Sequence, residues 1–234
     1  MAIHIQTLKT RSLTALIFVV LMLFGLLWNE WSFLALFTVV HFGCWFEFVR
    51  LVKKIYPRHW LAPALLGLVY ITMPIVMLLD LRGLFPRPGA PSLATAFANT
   101  IPIAIIVSIW VNDTMAYLVG SLMGKTPFSK ISPKKTWEGT AGGAIICVLA
   151  VGFLFPLIAE RFFDPFIPRQ TYFVIAAIAA VFGTAGDLLE SKLKRVADVK
   201  DSGHIMPGHG GFLDRFDSLL VTTPFVWLFV KNFA

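Results

Sequence analysis

The stretch TAGGAIICVLAVGFLFPLIAERFF, Thr140–Phe163, decides the fold class. No charge interrupts it before Glu160. An α-helix rising ~1.5 Å per residue needs roughly 20 such residues to cross a bilayer core. Outward from it, comparable runs lie at Ser12–Trp28, Trp31–Val49, Leu61–Leu79, Thr100–Met123, Thr171–Leu189 and Ser218–Phe233, the first and last a little short. Composition agrees. Of 234 residues, 57% are hydrophobic and 14% charged, with a mean hydropathy of +0.78, whereas soluble domains carry about 45–50% and ~25%. A single water-soluble core is excluded, and so is disorder, which needs low hydrophobicity and high net charge. The expected fold is an all-α integral membrane protein, a polytopic bundle of about seven transmembrane helices.

The first run lacks a small-residue cleavage site and leads through Asn29-Glu30 straight into another span, so it reads as a retained helix rather than a signal peptide. Cys44 and Cys147 sit inside apolar runs and read as small buried hydrophobes, not as a disulfide or metal pair. Basic residues number 20 against 13 acidic, a formal charge of +7. Assigning alternate loops to one side gathers fifteen of them: Lys9, Arg11, Arg50, Lys53, Lys54, Arg58, Lys125, Lys130, Lys134, Lys135, Lys192, Lys194, Arg195, Lys200 and Arg215. The other side keeps five, Arg82, Arg87, Arg161, Arg169 and Lys231. That bias places the N-terminus in the cytoplasm and the C-terminus outside. The excess charge suits anionic lipid or nucleotide better than nucleic acid. Leu81–Pro91, with Pro86, Pro88, Gly89 and Pro91, reads as a non-cytoplasmic turn. Residues 1–98 are expected to pack and to receive lipid tails, and 99–234 to carry the chemistry.

Polar residues concentrate in two cytoplasmic segments, 124–143 and 186–218. The second reads GDLLESKLKRVADVKDSGHIMPGHGGFLDRFDS, in which Asp187, Glu190, Ser191, Lys194 and Asp198 follow helical spacing along one face. For Glu190 and Asp198, a solvated face with i,i+3 and i,i+4 ion pairs explains the pattern as well as function does. Asp187, beside Gly183 and Gly186 at membrane depth, reads as functional, because intramembrane carboxylates are costly. The glycines of Pro207-Gly208-His209-Gly210-Gly211 let backbone N–H groups approach an anion. Asp214 and Asp217 stand three apart at the start of the last helix. They suit the helix dipole, but with Asp187 they also compose an oxygen-rich site for Mg²⁺. Such acids amid Lys192, Lys194, Arg195, Lys200 and Arg215 are the composition that phosphoryl or nucleotidyl transfer requires.

The first segment, GKTPFSKISPKKTWEGTAGG, is not a P-loop: Val119 stands where the leading glycine is needed, and no strand precedes it. Its lysines suit a lipid anchor. Ser132–Gly139 is nevertheless too mixed in chemistry to be only that, and Lys134 and Lys135 read as triphosphate ligands. Asn112 and Asp113 interrupt a span, which points to function; Asp113 is a further candidate metal ligand. His41 reads as a hydrogen-bonded packing residue and Glu47 as a partner of Arg50 or Lys53. His209 has no His or Cys at metal spacing, so zinc is not expected.

Ser191-Lys-Leu-Lys-Arg195, Lys200-Asp201-Ser-Gly and Pro207-Gly-His-Gly-Gly-Phe-Leu-Asp214-Arg215-Phe-Asp217-Ser218 together resemble the signature of the phosphatidate cytidylyltransferases (CDP-diacylglycerol synthases). Ser132-Pro-Lys-Lys-Thr-Trp-Glu-Gly139, Gly186-Asp187-Leu-Leu-Glu-Ser191 and Asn112-Asp113-Thr114 with Ala116-Tyr117 resemble that family too, so the likeness covers about residues 110–220. The resemblance implies the reaction CTP + phosphatidate → CDP-diacylglycerol + pyrophosphate, with Mg²⁺ as cofactor, in phospholipid biosynthesis at the cytoplasmic face of a bacterial inner membrane. CTP, phosphatidate and membrane lipids are then the partners; a second cation and a homodimer stay open. It implies catalytic roles for Asp187, Lys194, Arg195, Lys200, Asp214 and Arg215. Substrate contacts would come from Ser132, Lys134, Lys135, Thr136, Ser191, Gly208, His209, Gly210 and Gly211. Asp187 and Asp214 would hold the metal, with Asp217 and Asp113 as further candidates. A lipid phosphate is already anionic at neutral pH, so positioning and charge stabilisation would be the main needs. A CDP-alcohol phosphotransferase would need an upstream Asp-Gly-x-x-Ala-Arg run, which the sequence lacks. A cytidylyltransferase for another lipid phosphate stays open. An ion-coupled transporter using Asp113 and Asp187 would need broken helices in related halves, and would leave the glycine loop without a task.

Overall fold

Apolar runs of this length bury their backbone polar groups only by coiling into helices, and helices are the regular structure found. The computed structural model describes residues 5–85, 93–163, 167–203, 205 and 210–233, with no strand among them. Seven helices follow one another: α1 Ile5–Leu27, α2 Glu30–Ile55, α3 Leu61–Leu81, α4 Leu93–Met123, α5 Trp137–Phe162, α6 Arg169–Val196 and α7 Leu213–Phe233. Within α3 a π-turn, Leu68–Thr72, precedes Pro74, whose missing N–H disturbs the ladder there.

Seven helices match the seven apolar runs, while length and composition qualify five of them, α2 to α6, to cross a membrane. In α7 the charges of Asp214, Arg215, Asp217 and Lys231 interrupt the apolar run. Thr14–Leu27 of α1 is a shorter apolar stretch. Only 33–44% of each qualifying stretch is buried. The rest presents side chains such as Leu65, Leu66, Val69, Ile145, Leu149 and Leu154 outward, and apolar exposure on this scale suits lipid rather than water. The chain is an integral membrane protein by this reading.

The chain divides into two compact units, Met1–Thr72 with Leu193–Phe216, and Met73–Lys192 with Asp217–Ala234. In the first, α1 and α2 are joined by a tight reversal. There the Ser32 N–H donates to Asn29 Oδ1 (2.8 Å) and the Asn29 N–H to Ser32 Oγ (3.1 Å), a reciprocal cap. Phe33 and Phe37 fill the interior behind it. His41 Nε2 lies 3.0 Å from Thr72 Oγ1, which also accepts from Trp45 Nε1 at 2.9 Å, so His41 packs as expected.

In the second unit α4 lies along α5, backbone to backbone. A Cβ on Gly143 would sit 2.6 Å from the Ala116 nitrogen, so only glycine permits the approach. Asp80 Oδ2 accepts from Trp227 Nε1 and meets Lys231 Nζ, both at 2.7 Å, fastening the end of α3 to the end of α7. Gly83, at φ 77°, turns the chain out of α3. Pro86, Pro88, Gly89 and Pro91 of the expected turn lie outside the described residues.

Candidate active site

In the second unit the site begins with a glycine. A Cβ on Gly186 would lie 2.6 Å from the Asp217 carbonyl oxygen, so α6 and α7 touch there without side chains between them. Ser218 Oγ donates to the Gly183 carbonyl at 3.0 Å and fixes the register. Around that contact one carboxylate oxygen each from Asp187, Glu190 and Asp217 lies within 4.8 Å of the other two. Glu190 is 1% exposed and Asp217 7%. Ser191 Oγ donates to Asp187 Oδ1 at 3.3 Å, and the Lys135 ammonium pairs with Asp187.

Lys135 arrives on the segment between α4 and α5. Glu138 holds that segment, accepting from Thr126 Oγ1 at 2.8 Å and from the Thr126 and Lys125 N–H groups at 3.1 and 3.2 Å. The Phe128 N–H donates to the Lys135 carbonyl (2.8 Å), and the Phe128 and Trp137 rings meet edge to face. Thr136 caps α5, its Oγ1 accepting from the Gly139 N–H at 3.1 Å. Together these elements wall a cavity of about 450 Å³. Asn112, Asp113 and Thr184 line its inner side; Ser132, Lys134, Lys135, Thr136 and Asp187 line the rest. Burial pushes the Lys135 ammonium below the ordinary lysine value, against the pull of Asp113 and Asp217. Asn112 Oδ1 is buried with no hydrogen-bond partner among the described residues, an acceptor at the same wall.

The first unit holds a second polar cluster. Asp214 Oδ1 accepts from Lys194 Nζ at 2.6 Å. Its Oδ2 accepts from the Ser202 N–H (2.9 Å), Ser202 Oγ (2.9 Å) and the Gly211 N–H (2.8 Å). Beside it, Arg50, Lys54 and Lys200 line a cavity of about 360 Å³.

Residues 89–233 match the model of the cytidylyltransferase family. The chain belongs to that family. A phosphatidate cytidylyltransferase of Bacillus subtilis (strain 168) is 36% identical over 243 residues, 99% of this chain and 84% of that one. One of Rickettsia typhi (strain ATCC VR-144 / Wilmington) is 33% identical, covering 94% of this chain and 90% of its own. A third, of Staphylococcus saprophyticus, reaches 49% over 117 residues, 50% of this chain and 43% of that protein.

In this cytidylyltransferase-family chain, the second unit brings together Asp113, Ser132, Lys134, Lys135, Thr136 and Asp187 around one cavity, with Ser191 and Asp217 at Asp187. The first unit carries Lys194, Gly211 and Asp214 in contact, while Arg195, Lys200 and Arg215 are exposed there. Gly210 takes φ 84°; Gly208 and His209 lie outside the described residues. Both oxygens of Asp214 accept from protein donors, and the carboxylates that converge are those of Asp187, Glu190 and Asp217. Glu190 is therefore buried in the acidic cluster rather than solvated. Helical spacing put it on the Asp187 face, but only the partner helix shows that this face is covered. Glu47 does not pair with Arg50 or Lys53: it accepts from Ser202 Oγ and the Phe212 and Leu213 N–H groups.

Proposed function

We propose that this chain transfers the cytidylyl group of CTP to phosphatidate, releasing pyrophosphate and forming CDP-diacylglycerol. The observation that carries the reading is the cavity of the second unit, which sets Lys134 and Lys135 beside Asp187, a member of the Asp187–Glu190–Asp217 cluster. Family membership supports it, as do the curated relatives named phosphatidate cytidylyltransferase.

In this reading Lys134, Lys135 and the N-terminus of α5 at Thr136 hold the triphosphate, since N–H groups at a helix start and ammonium groups both favour phosphate. A lipid phosphate oxygen attacks the α-phosphorus; the bond from that phosphorus to the bridging oxygen breaks, and pyrophosphate leaves with the electron pair. No general base is needed, because the attacking oxygen already carries charge at neutral pH. Lys194, Arg195, Lys200 and Arg215 contribute positive charge toward phosphate groups.

Three converging carboxylates, two of them buried, form an all-oxygen anionic donor set, which fits a hard divalent cation such as Mg²⁺. Asp187, Asp217 and Glu190 would hold it, with Asp113 on the neighbouring wall. When bound it would supply Lewis-acid charge to the reacting phosphates. Asp214 has a different part, organising the Lys194–Ser202–Gly211 cluster.

The deciding assay supplies radiolabelled CTP and phosphatidate to purified protein in detergent, in parallel with polyprenyl and ether-lipid phosphates. CMP label entering phosphatidate is expected; label entering only another lipid phosphate would replace the substrate, and none entering any lipid would refute the reading. Within the same assay, Lys135→Ala is expected to raise the CTP KM by about tenfold or more, one charge-assisted phosphate contact being worth roughly 1.5–3 kcal/mol. Lys134→Ala, at a more exposed position, should raise it less. Unchanged CTP kinetics in both would leave those lysines as lipid anchors.

We further propose that both polar segments face the cytoplasm of a bacterial inner membrane, as the fifteen-to-five basic asymmetry implies. Lys130→Cys and Asp201→Cys place thiols at exposed positions against a background of two buried cysteines. An impermeant maleimide should label neither in intact cells and both after lysis. Labelling from outside would reverse the topology.

A further inference from the structure

Glu47 lies on α2, far in sequence from every residue given a role above, yet its carboxylate is 1% exposed. Its partners come from the segment that carries Asp214. Ser202 Oγ donates to Glu47 Oε2 at 2.7 Å, the Phe212 N–H to Oε1 at 2.9 Å, and the Leu213 N–H to Oε2 at 2.9 Å. The last two donors belong to the N-terminus of α7, where backbone N–H groups have no partner within their own helix. A local Ser, Thr or Asp side chain ordinarily supplies it. Here a glutamate from another helix does, and an ionised acceptor makes such bonds shorter and stronger.

The surroundings are shaped to that carboxylate. A Cβ on Gly203 or on Gly211 would run into it, so glycine stands at both positions that meet Glu47. One turn earlier on α2, Gly43 leaves room for the Phe212 ring, which a Cβ there would strike. Gly43 and Glu47 thus form a two-part socket, apolar then polar, for Ser202, Gly203 and Gly211–Leu213. Ser202 joins the socket to the neighbouring cluster, since its Oγ is also 2.9 Å from Asp214 Oδ2. A hydroxyl has one proton to give. Its backbone N–H, donated to Asp214 at 2.9 Å, keeps that link whichever carboxylate takes the hydroxyl proton.

We infer that Glu47 is a positioning residue: it seats Ser202, Gly203 and Gly211–Leu213 at the start of α7, and through them sets the Lys194–Asp214 pair. Resting on the cytidylyl-transfer reading, this assigns a task in that reaction to the N-terminal helices. The cavity bearing Lys134 and Lys135 is walled by residues outside the Glu47 network. Loss of Glu47 should therefore lower turnover and spare CTP binding.

The test compares wild type, Glu47→Gln and Glu47→Ala, purified in detergent, for CDP-diacylglycerol formation and for backbone hydrogen exchange. Glu47→Ala should lower kcat by about ten- to a hundredfold, the range for residues supporting an active-site group, with the CTP KM within about threefold of wild type. Glu47→Gln keeps one acceptor oxygen and the shape, and should fall between the two; it also serves if the alanine variant does not fold. Exchange should rise in residues 200–215 and not across the chain. Adding Asp214→Asn to Glu47→Ala should cost no more than the slower single change, because groups acting as one unit are non-additive. A wild-type kcat in Glu47→Ala overturns the inference. So does a loss shared equally by kcat, CTP affinity and exchange everywhere, which marks a general structural role. If wild type makes no CDP-diacylglycerol while exchange in Glu47→Ala still rises only in residues 200–215, the reaction assignment falls and the seating of the segment stands.

Discussion

Asp187→Asn and Asp217→Asn should each reduce CDP-diacylglycerol formation by about a hundredfold or more, the scale on which a single electrostatic contribution to a transition state is felt. Both changes keep volume and polarity and remove one negative charge from a cluster in which one oxygen of each carboxylate lies within 4.8 Å of the others. If the three carboxylates act on one cation, the double variant should be little worse than either single one. Mg²⁺ affinity, followed by calorimetry on the purified protein, should weaken in both. Asp198→Asn is the comparison. Asp198 is exposed and adopts φ 51°, a conformation that asparagine accepts readily, so near-wild-type turnover is expected. Normal turnover and normal Mg²⁺ dependence in well-folded Asp187→Asn would sink the assignment.

A pair of glycine substitutions separates helix contact from chemistry. Gly186→Ala puts a methyl group 2.6 Å from the Asp217 carbonyl oxygen, a backbone atom that can yield only if α6 and α7 part. Overpacking of this kind costs typically 1–3 kcal/mol, and it moves Asp217 relative to Asp187. A displacement near 1 Å can cost about a hundredfold in rate, so activity should fall by about ten- to a hundredfold. Gly183→Ala, one turn earlier, meets Ser218 and Thr222 atoms at 3.5 Å, ordinary contact, and should stay within about twofold. Equal tolerance of both would mean that the α6–α7 approach does not set the carboxylate cluster.

Most of the fold was legible in hydropathy, because a membrane-spanning helix is recorded by length and apolarity alone. The run Thr140–Phe163 became Trp137–Phe162, and Thr171–Leu189 became Arg169–Val196. The helix ends shifted where polar residues continue the helix beyond its apolar run, as Lys192–Arg195 do on α6. The site was legible in type but less so in partnership. Asp187 could be named from charge at membrane depth, with Asp214 as its expected metal partner and Asp217 as a further candidate. That Glu190 is buried depends on which helix covers its face, and no periodicity carries that. Asp214 was expected beside Asp187 on the metal, yet four donors from Lys194, Ser202 and Gly211 occupy it. Glu47 was furthest out of reach, since its partners lie 155 to 166 residues away along the chain.

The Glu138 latch has a thermodynamic consequence. Thr126 and Lys125 are tied to it, and the Phe128–Trp137 contact closes the same segment, so the lysine-bearing strap loses its conformational freedom when the protein folds. Ordering one backbone residue costs about 1–2 kcal/mol, and a strap ordered only on contact would subtract that from the affinity of each incoming polyphosphate. With the order built in, a triphosphate held there as proposed would keep its intrinsic attraction nearly undiminished. Loosening the latch would then appear first as weaker binding with a larger entropic penalty, before any change in the rate of bond making.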